Sequence, residues 1–240
     1  MSSPPPPRRG HKTMPPPPRP GEFERLSLQC LEFVRLHATE GDAQSVVDAM
    51  DTFAYESWMM NVGDVKGAIV DDEIAKAKPQ IMAEIGAFCG YSAVRFANKL
   101  HAVSGPTAHY YSFEFSPHFA SIATQMVAFA GLSDMVTIFV GAFSENYTKL
   151  EELGIGHVDY YCLHWVLKLG RFWILGWIEQ GSVVIADNVG SGVEPRMGPV
   201  APGYLEYVRS SAKFSSVFHE SFVEYQAELK DGVEVSTYVG

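Results

Sequence analysis

Ile81-Met82-Ala83-Glu84-Ile85-Gly86-Ala87-Phe88-Cys89-Gly90-Tyr91-Ser92 is the stretch on which the reading of this chain turns. It passes from a short apolar strand through a glycine-hinged turn into a helix. Glycine lacks a Cβ, so the backbone can approach a ligand closely, and the helix opening near Tyr91 aims free N–H groups at it. The dinucleotide fingerprint Gly-x-Gly-x-x-Gly needs a second glycine two residues after the first, where this chain has Phe88. The spacing Glu-x-Gly-x-x-x-Gly departs from that fingerprint. It also leaves an acid, Glu84, at the strand end to meet a cationic group. A glycine-rich turn that binds nothing is the bland alternative.

Outward from this turn the chain alternates strand and helix. A helix over Ser92–Leu100 leads to a strand, His109–Glu114, that closes on an acid. In doubly wound sheets a carboxylate at that point accepts hydrogen bonds from the two ribose hydroxyls of an adenosine; the alternative is a solvated strand end. Ser116 caps and Pro117 opens a helix to Ala130. Strand Val136–Val140, a helix near Glu145–Leu153, strand Val158–Leu163, a helix over Val166–Gln180 and strand Ser182–Ala186 follow. After a loop over Gly190–Gly203 come a helix at Tyr204–Ala212 and two strands, Phe214–Phe222 and Val233–Tyr238. A hairpin across Asp231-Gly232 would pair these two strands. Upstream, helices are expected from Glu22, over Ala43–Phe53, and from Asp64 as N-cap to Lys78, stopped by Pro79. The alternation predicts a doubly wound α/β sheet, mostly parallel with an antiparallel C-terminal hairpin and an N-terminal helical cap. Ligands belong at the strands' C-terminal ends.

With 240 residues, 47% of them hydrophobic, the chain is long enough for one α/β domain, assigned to residues 22–240. Residues 1–21 read as a disordered, polyproline-II-like tail whose two proline runs suit a proline-binding module. A formal net charge of −10 argues against a nucleic-acid groove. Three scattered cysteines fit a reducing, cytoplasmic compartment. The apolar run Trp165–Ile178 is not read as a membrane span, because Lys168 and Arg171 near its centre would each cost about 2.5–3.5 kcal/mol.

Asp187-Asn188 follows strand Ser182–Ala186 on the edge where Glu84 and Glu114 also emerge. The pair could hold a divalent cation such as Mg²⁺ or begin an Asx turn. Taken with the glycine turn, the segments Trp58 to Gly67, Ala43 to Asp51, Glu84 to Ser92, Ala186 to Val189 and Ser221 to Tyr225 resemble the catechol O-methyltransferase family. The likeness runs in order from about Leu26 to the C-terminus.

That resemblance implies transfer of a methyl group from S-adenosylmethionine to a hydroxyl of a small-molecule catechol, assisted by Mg²⁺. It implies a cofactor shell of Met60, Val62, Glu84, Gly86, Tyr91, Ser92 and Glu114, with Ala142 near the adenine. Asp187 and Asn188 match two metal ligands, Asn188 and Glu224 face the substrate, Glu224 accepts a hydrogen bond from the catechol hydroxyl that is not methylated, and Trp58 walls its slot. The chain departs from the family motif Leu-Asp-His-Trp-Lys at Leu163-His164-Trp165-Val166-Leu167-Lys168. Ungapped, His164 takes the place of the metal-binding aspartate, and Lys168 is the nearest lysine for a base. An imidazole suits Mn²⁺ better than Mg²⁺. The altered motif keeps a second reading open: a cofactor-binding but catalytically impaired relative, or altered-splice product, acting as an interaction or regulatory protein.

Overall fold

The computed structural model describes residues 18–19, 21–164, 176–190, 202–226 and 228–240. Most of the proline-rich tail, the run 165–175 with Lys168, and most of the 190–203 loop lie outside the described residues.

Three helices, α1 (Glu22–His37), α2 (Ala43–Glu56) and α3 (Gly63–Ala77), precede the sheet. Strands β1 (Ile81–Ile85), β2 (His109–Glu114) and β3 (Val136–Val140) alternate with α4 (Tyr91–Ser104) and α5 (Pro117–Phe129). Two short helices, α6 (Phe143–Asn146) and α7 (Thr148–Glu152), stand where one was expected. Then come β4 (Tyr160–Leu163), β5 (Val183–Ala186), α8 (Pro202–Ser210), β6 (Phe214–Phe222) and β7 (Lys230–Tyr238). The seven strands are ordered β3-β2-β1-β4-β5-β7-β6, parallel through β5 and antiparallel at β7 and β6.

Both faces of this sheet are covered, so its strands are apolar at nearly every position. Met82, Tyr110 and Cys162 face α1 to α5, while their neighbours Ala83, Tyr111 and Leu163 face α6 to α8 with Trp177 and Ile178. Parallel register then sets the site. Ile85 pairs with Phe113 and with Leu163, and Leu163 pairs with Ala186. The next residue of each strand, Gly86, Glu114, His164 and Asp187, therefore emerges along one edge, where the strand order reverses about β1.

Three local expectations are corrected. Asp64 is not an N-cap: α3 begins at Gly63, and the Asp64 carboxylate accepts from Tyr55 Oη at 2.7 Å and from the Val65 N–H at 2.9 Å. Asp231-Gly232 is not the hairpin turn. The two residues pair with Ser221 and Glu220 inside the ladder, and the chain reverses after Phe222, which pairs with Lys230. Gly232 is needed for space instead, since a Cβ there would lie 2.3 Å from the Phe218 ring. The described end of the helix expected over Val166–Gln180 is not α-helical: Trp177 and Ile178 are buried against the sheet, and the Trp177 carbonyl accepts from the Val158 N–H at 2.7 Å.

Candidate active site

The turn after β1 carries Gly86 at φ 99°, Phe88 at φ 47° and Gly90 at φ 84°. At Gly90 a side chain has no room, because a Cβ would stand 3.0 Å from the Ala123 backbone. Phe88 holds its left-handed conformation because Glu114 pins it. Glu114 Oε2 accepts from the Ala87 and Phe88 N–H groups at 3.0 and 2.8 Å, and Oε1 accepts from Ser116 N–H at 2.8 Å. A carboxylate offers about four lone pairs, so one remains free, on Oε1. Burial pushes the Glu114 pKa up, and the three N–H groups pull it back.

A cavity of about 440 Å³ opens over this turn. Met60, Val62, Gly86, Tyr91, Ser92, Glu114 and Ala142, all expected around a cofactor, line it. His164, Asp187 and Asn188 line its other end. Glu84 does not line it. That carboxylate is fully buried beneath Ser92, accepting from Ser92 and Ser112 Oγ at 2.6 Å and from Tyr110 Oη at 2.8 Å. Its position inside β1 points it into the sheet, where three hydroxyls replace the cationic group expected there. Trp58 does not line this cavity; it packs edge-on against Phe23 of α1, with ring centroids 5.2 Å apart.

Lys66, assigned no role above, is the centre of the polar cluster. Only 1% exposed, its Nζ donates to Asn188 Oδ1 at 2.8 Å, to Asp231 Oδ2 at 2.6 Å and to Glu224 Oε1, with Asp187 Oδ2 at 3.6 Å. Burial disfavours the ammonium, but Glu224, Asp187 and Asp231 more than offset it and hold its pKa above the ordinary lysine value. Glu224, which does not itself line the cavity, is pushed up to about 7 by burial, with Lys66 pulling down. The sequence carried one usable signal: Lys66, Val70 and Ile74 form the buried stripe of α3 at four-residue spacing, an unusual place for a lysine.

His164 sits between two acids, Nε2 3.3 Å from Glu84 Oε2 and Nδ1 3.4 Å from Asp187 Oδ1. Burial disfavours its charge, yet Asp187 and then Glu84 raise its pKa to about 10. Asp187 is held below its ordinary value despite burial, by Lys66 and His164. This donor set does not fit Mg²⁺, which takes oxygen ligands in an octahedron. Asn188 Oδ1 is engaged by Lys66, and Asp187 Oδ2 accepts from Asn188 Nδ2 at 3.1 Å. Among the described residues no group of three or more His, Cys, Asp or Glu is arranged to hold a metal.

Behind Tyr91 lies a second buried network. Arg95 donates to Tyr91 Oη at 2.9 Å and to Asp71, while Tyr225 Oη donates to Asp51 Oδ1 at 2.8 Å. Burial raises the Asp51 pKa to about 6, although Tyr225 and Tyr91 hydrogen bonds lower it. A raised carboxylate pKa means that the folded state holds the proton more tightly than the unfolded one. Ionisation therefore costs stability, fully above the folded pKa and not at all below the unfolded one. Asp51→Asn keeps an acceptor for Tyr225 and removes the charge. It should stabilise the fold by about 2–3 kcal/mol at about pH 8 and by nothing below about pH 4. Urea unfolding at both pH values checks this, and an equal effect at each would refute it.

The doubly wound sheet with its glycine turn after β1 is the fold of an S-adenosylmethionine-dependent methyltransferase. A methyltransferase-domain family model matches residues 83–189. Catechol O-methyltransferase of Mus musculus is 38% identical over 217 residues, covering 88% of this chain and 77% of the mouse protein. Catechol O-methyltransferase B of Danio rerio is 36% identical over 217 residues, covering 88% and 78%. The O-methyltransferase TomG of Streptomyces achromogenes, solved with the cofactor, shares the fold at TM-score 0.67 and 21% identity, over 91% of this chain and 99% of TomG. The chain belongs to the catechol O-methyltransferase family of S-adenosylmethionine-dependent O-methyltransferases. No helix among the described residues is long and apolar enough to cross a membrane.

Proposed function

We propose that this chain transfers the methyl group of S-adenosylmethionine to one hydroxyl of a small catechol. One observation carries the reading: a single cavity runs from Glu114, the ribose acceptor, to the polar cluster of Asp187, Asn188 and His164. Met60, Val62, Tyr91 and Ser92 hold the cofactor between those ends, with its adenine towards Ala142. The acceptor hydroxyl lies at the Asp187–Asn188 end, in line with the sulfonium methyl. The S–CH3 bond breaks as the O–CH3 bond forms, S-adenosylhomocysteine leaves, and the hydroxyl proton passes to Glu224 by way of Lys66, which bridges Asn188 on the cavity wall and Glu224 behind it.

A base with a pKa near the working pH is the efficient one, and Glu224 sits at about 7. Lys66 keeps that carboxylate oriented. Holding oxygen and methyl in near-attack geometry supplies the rest of the acceleration. Mg²⁺ takes no part in this sequence, since among the described residues its ligand set is incomplete. A cytoplasmic setting suits the three free, buried cysteines.

The test is methyl transfer to a simple catechol by the full chain. Transfer should rise with pH as Glu224 ionises, and Glu224→Gln should lower kcat by about 100-fold and flatten that rise. A folded, cofactor-binding protein that turns over no catechol at any pH would be the impaired relative instead.

A further inference from the structure

A cation at the acceptor end needs converging donors, and among the described residues no group of three or more His, Cys, Asp or Glu supplies them there. Asp187 Oδ2 and Asn188 Oδ1 each already accept one hydrogen bond within the protein, from Asn188 Nδ2 and Lys66 Nζ. Asp187 Oδ1 is buried without a hydrogen bond, and the group facing it is the His164 ring, with Nδ1 at 3.4 Å. The other ring nitrogen, also buried without a hydrogen bond, faces Glu84 Oε2 at 3.3 Å, an oxygen that already accepts from Ser92 and Tyr110 while Oε1 accepts from Ser112. The ring thus fills the gap between two acids from adjacent strands. Its place is set by the backbone, since His164 follows Leu163, the residue that pairs with both Ile85 and Ala186.

We propose that this chain transfers its methyl group without a divalent metal, the imidazole of His164, wedged between Glu84 and Asp187, standing where a cation would lie. Lys66 faces Asp187 from the opposite side at 3.6 Å, so among the described residues two cationic or imidazole side chains flank the Asp187 carboxylate. The bond changes are those given above: S–CH3 broken, O–CH3 formed, proton to Glu224. The inference rests on the methyl-transfer reading, but its first test does not depend on turnover.

MgCl2 and MnCl2 are titrated calorimetrically into the full chain saturated with S-adenosylhomocysteine. No saturable heat up to millimolar metal is expected; saturable binding of either ion overturns the proposal. In the transfer assay, excess EDTA should change the rate by less than about twofold, whereas a loss of more than about tenfold overturns the proposal. If no transfer occurs with or without EDTA, the functional reading falls and calorimetry alone decides the metal question. His164→Asp supplies a second carboxylate beside Asp187 and should gain Mg²⁺ heat, while His164→Asn should not. A folded His164→Asp protein that still ignores Mg²⁺ overturns the role given to the ring.

Discussion

Lys66→Met is expected to destabilise the protein by about 3–5 kcal/mol, because it strips the counter-ion from buried carboxylates while nearly conserving volume. The side chains of Lys66, Asp187 and Asp231 are 1%, 3% and 0% exposed, and that of Glu224 is 12% exposed, so water cannot take over. Among the described residues Asp231 keeps just the Gly190 N–H, on Oδ1 at 2.9 Å. The sign against pH follows from two shifts. Lys66 has a raised pKa, so its contribution is complete below the unfolded lysine value and is lost only as pH rises through the folded one. Asp187 has a depressed pKa, so its contribution is present above the unfolded carboxylate value and is lost as pH falls through the folded one. The deficit of the variant should therefore be greatest near neutrality and shrink in acid as the stranded carboxylates protonate. Urea midpoints across that range measure it. A deficit below about 1 kcal/mol at neutral pH would mean that the ammonium is not the counter-ion of the cluster.

Glu114→Ala should weaken S-adenosylmethionine binding by about 10- to 100-fold, the worth of a hydrogen bond to a charged acceptor plus the loss of a fixed turn. The turn matters because the Ala87, Phe88 and Ser116 N–H groups all end on this one carboxylate. Without it Phe88, at φ 47°, has nothing to hold it in a conformation that bulky residues avoid. Glu114→Gln retains one oxygen for the turn and should lose less than the alanine variant. Calorimetric affinities of both, beside unfolding curves, separate lost contact from lost fold. An unchanged affinity in folded Glu114→Ala would remove Glu114 from the cofactor site.

How far the site could be read in advance depended on whether its residues were set locally. Strands β2 and β3 fall where the apolar runs place them, His109–Glu114 and Val136–Val140. Ser116 caps α5 through its own side chain, accepting from the Phe119 N–H at 3.4 Å. Local signals misled where a distant group claimed the residue. Asp231-Gly232 has the composition of a turn, but Lys66 takes the aspartate and the Phe218 ring takes the space at the glycine. Glu84 stands at the expected strand position, yet hydroxyls from α4 and β2 draw it below the cavity floor.

By itself the sequence determined the alternation of strands and helices, the glycine turn after β1 and the acid that ends β2. Each of these depends on periodicity and backbone freedom within a few consecutive residues. Only the tertiary structure decided which charges meet. Lys66 reaches Asn188 across 122 positions and Asp231 across 165, and His164 falls between Glu84 and Asp187 through strand pairing. Hydrophobic pattern records which face of an element is buried; it does not record which polar groups from remote segments will share that burial.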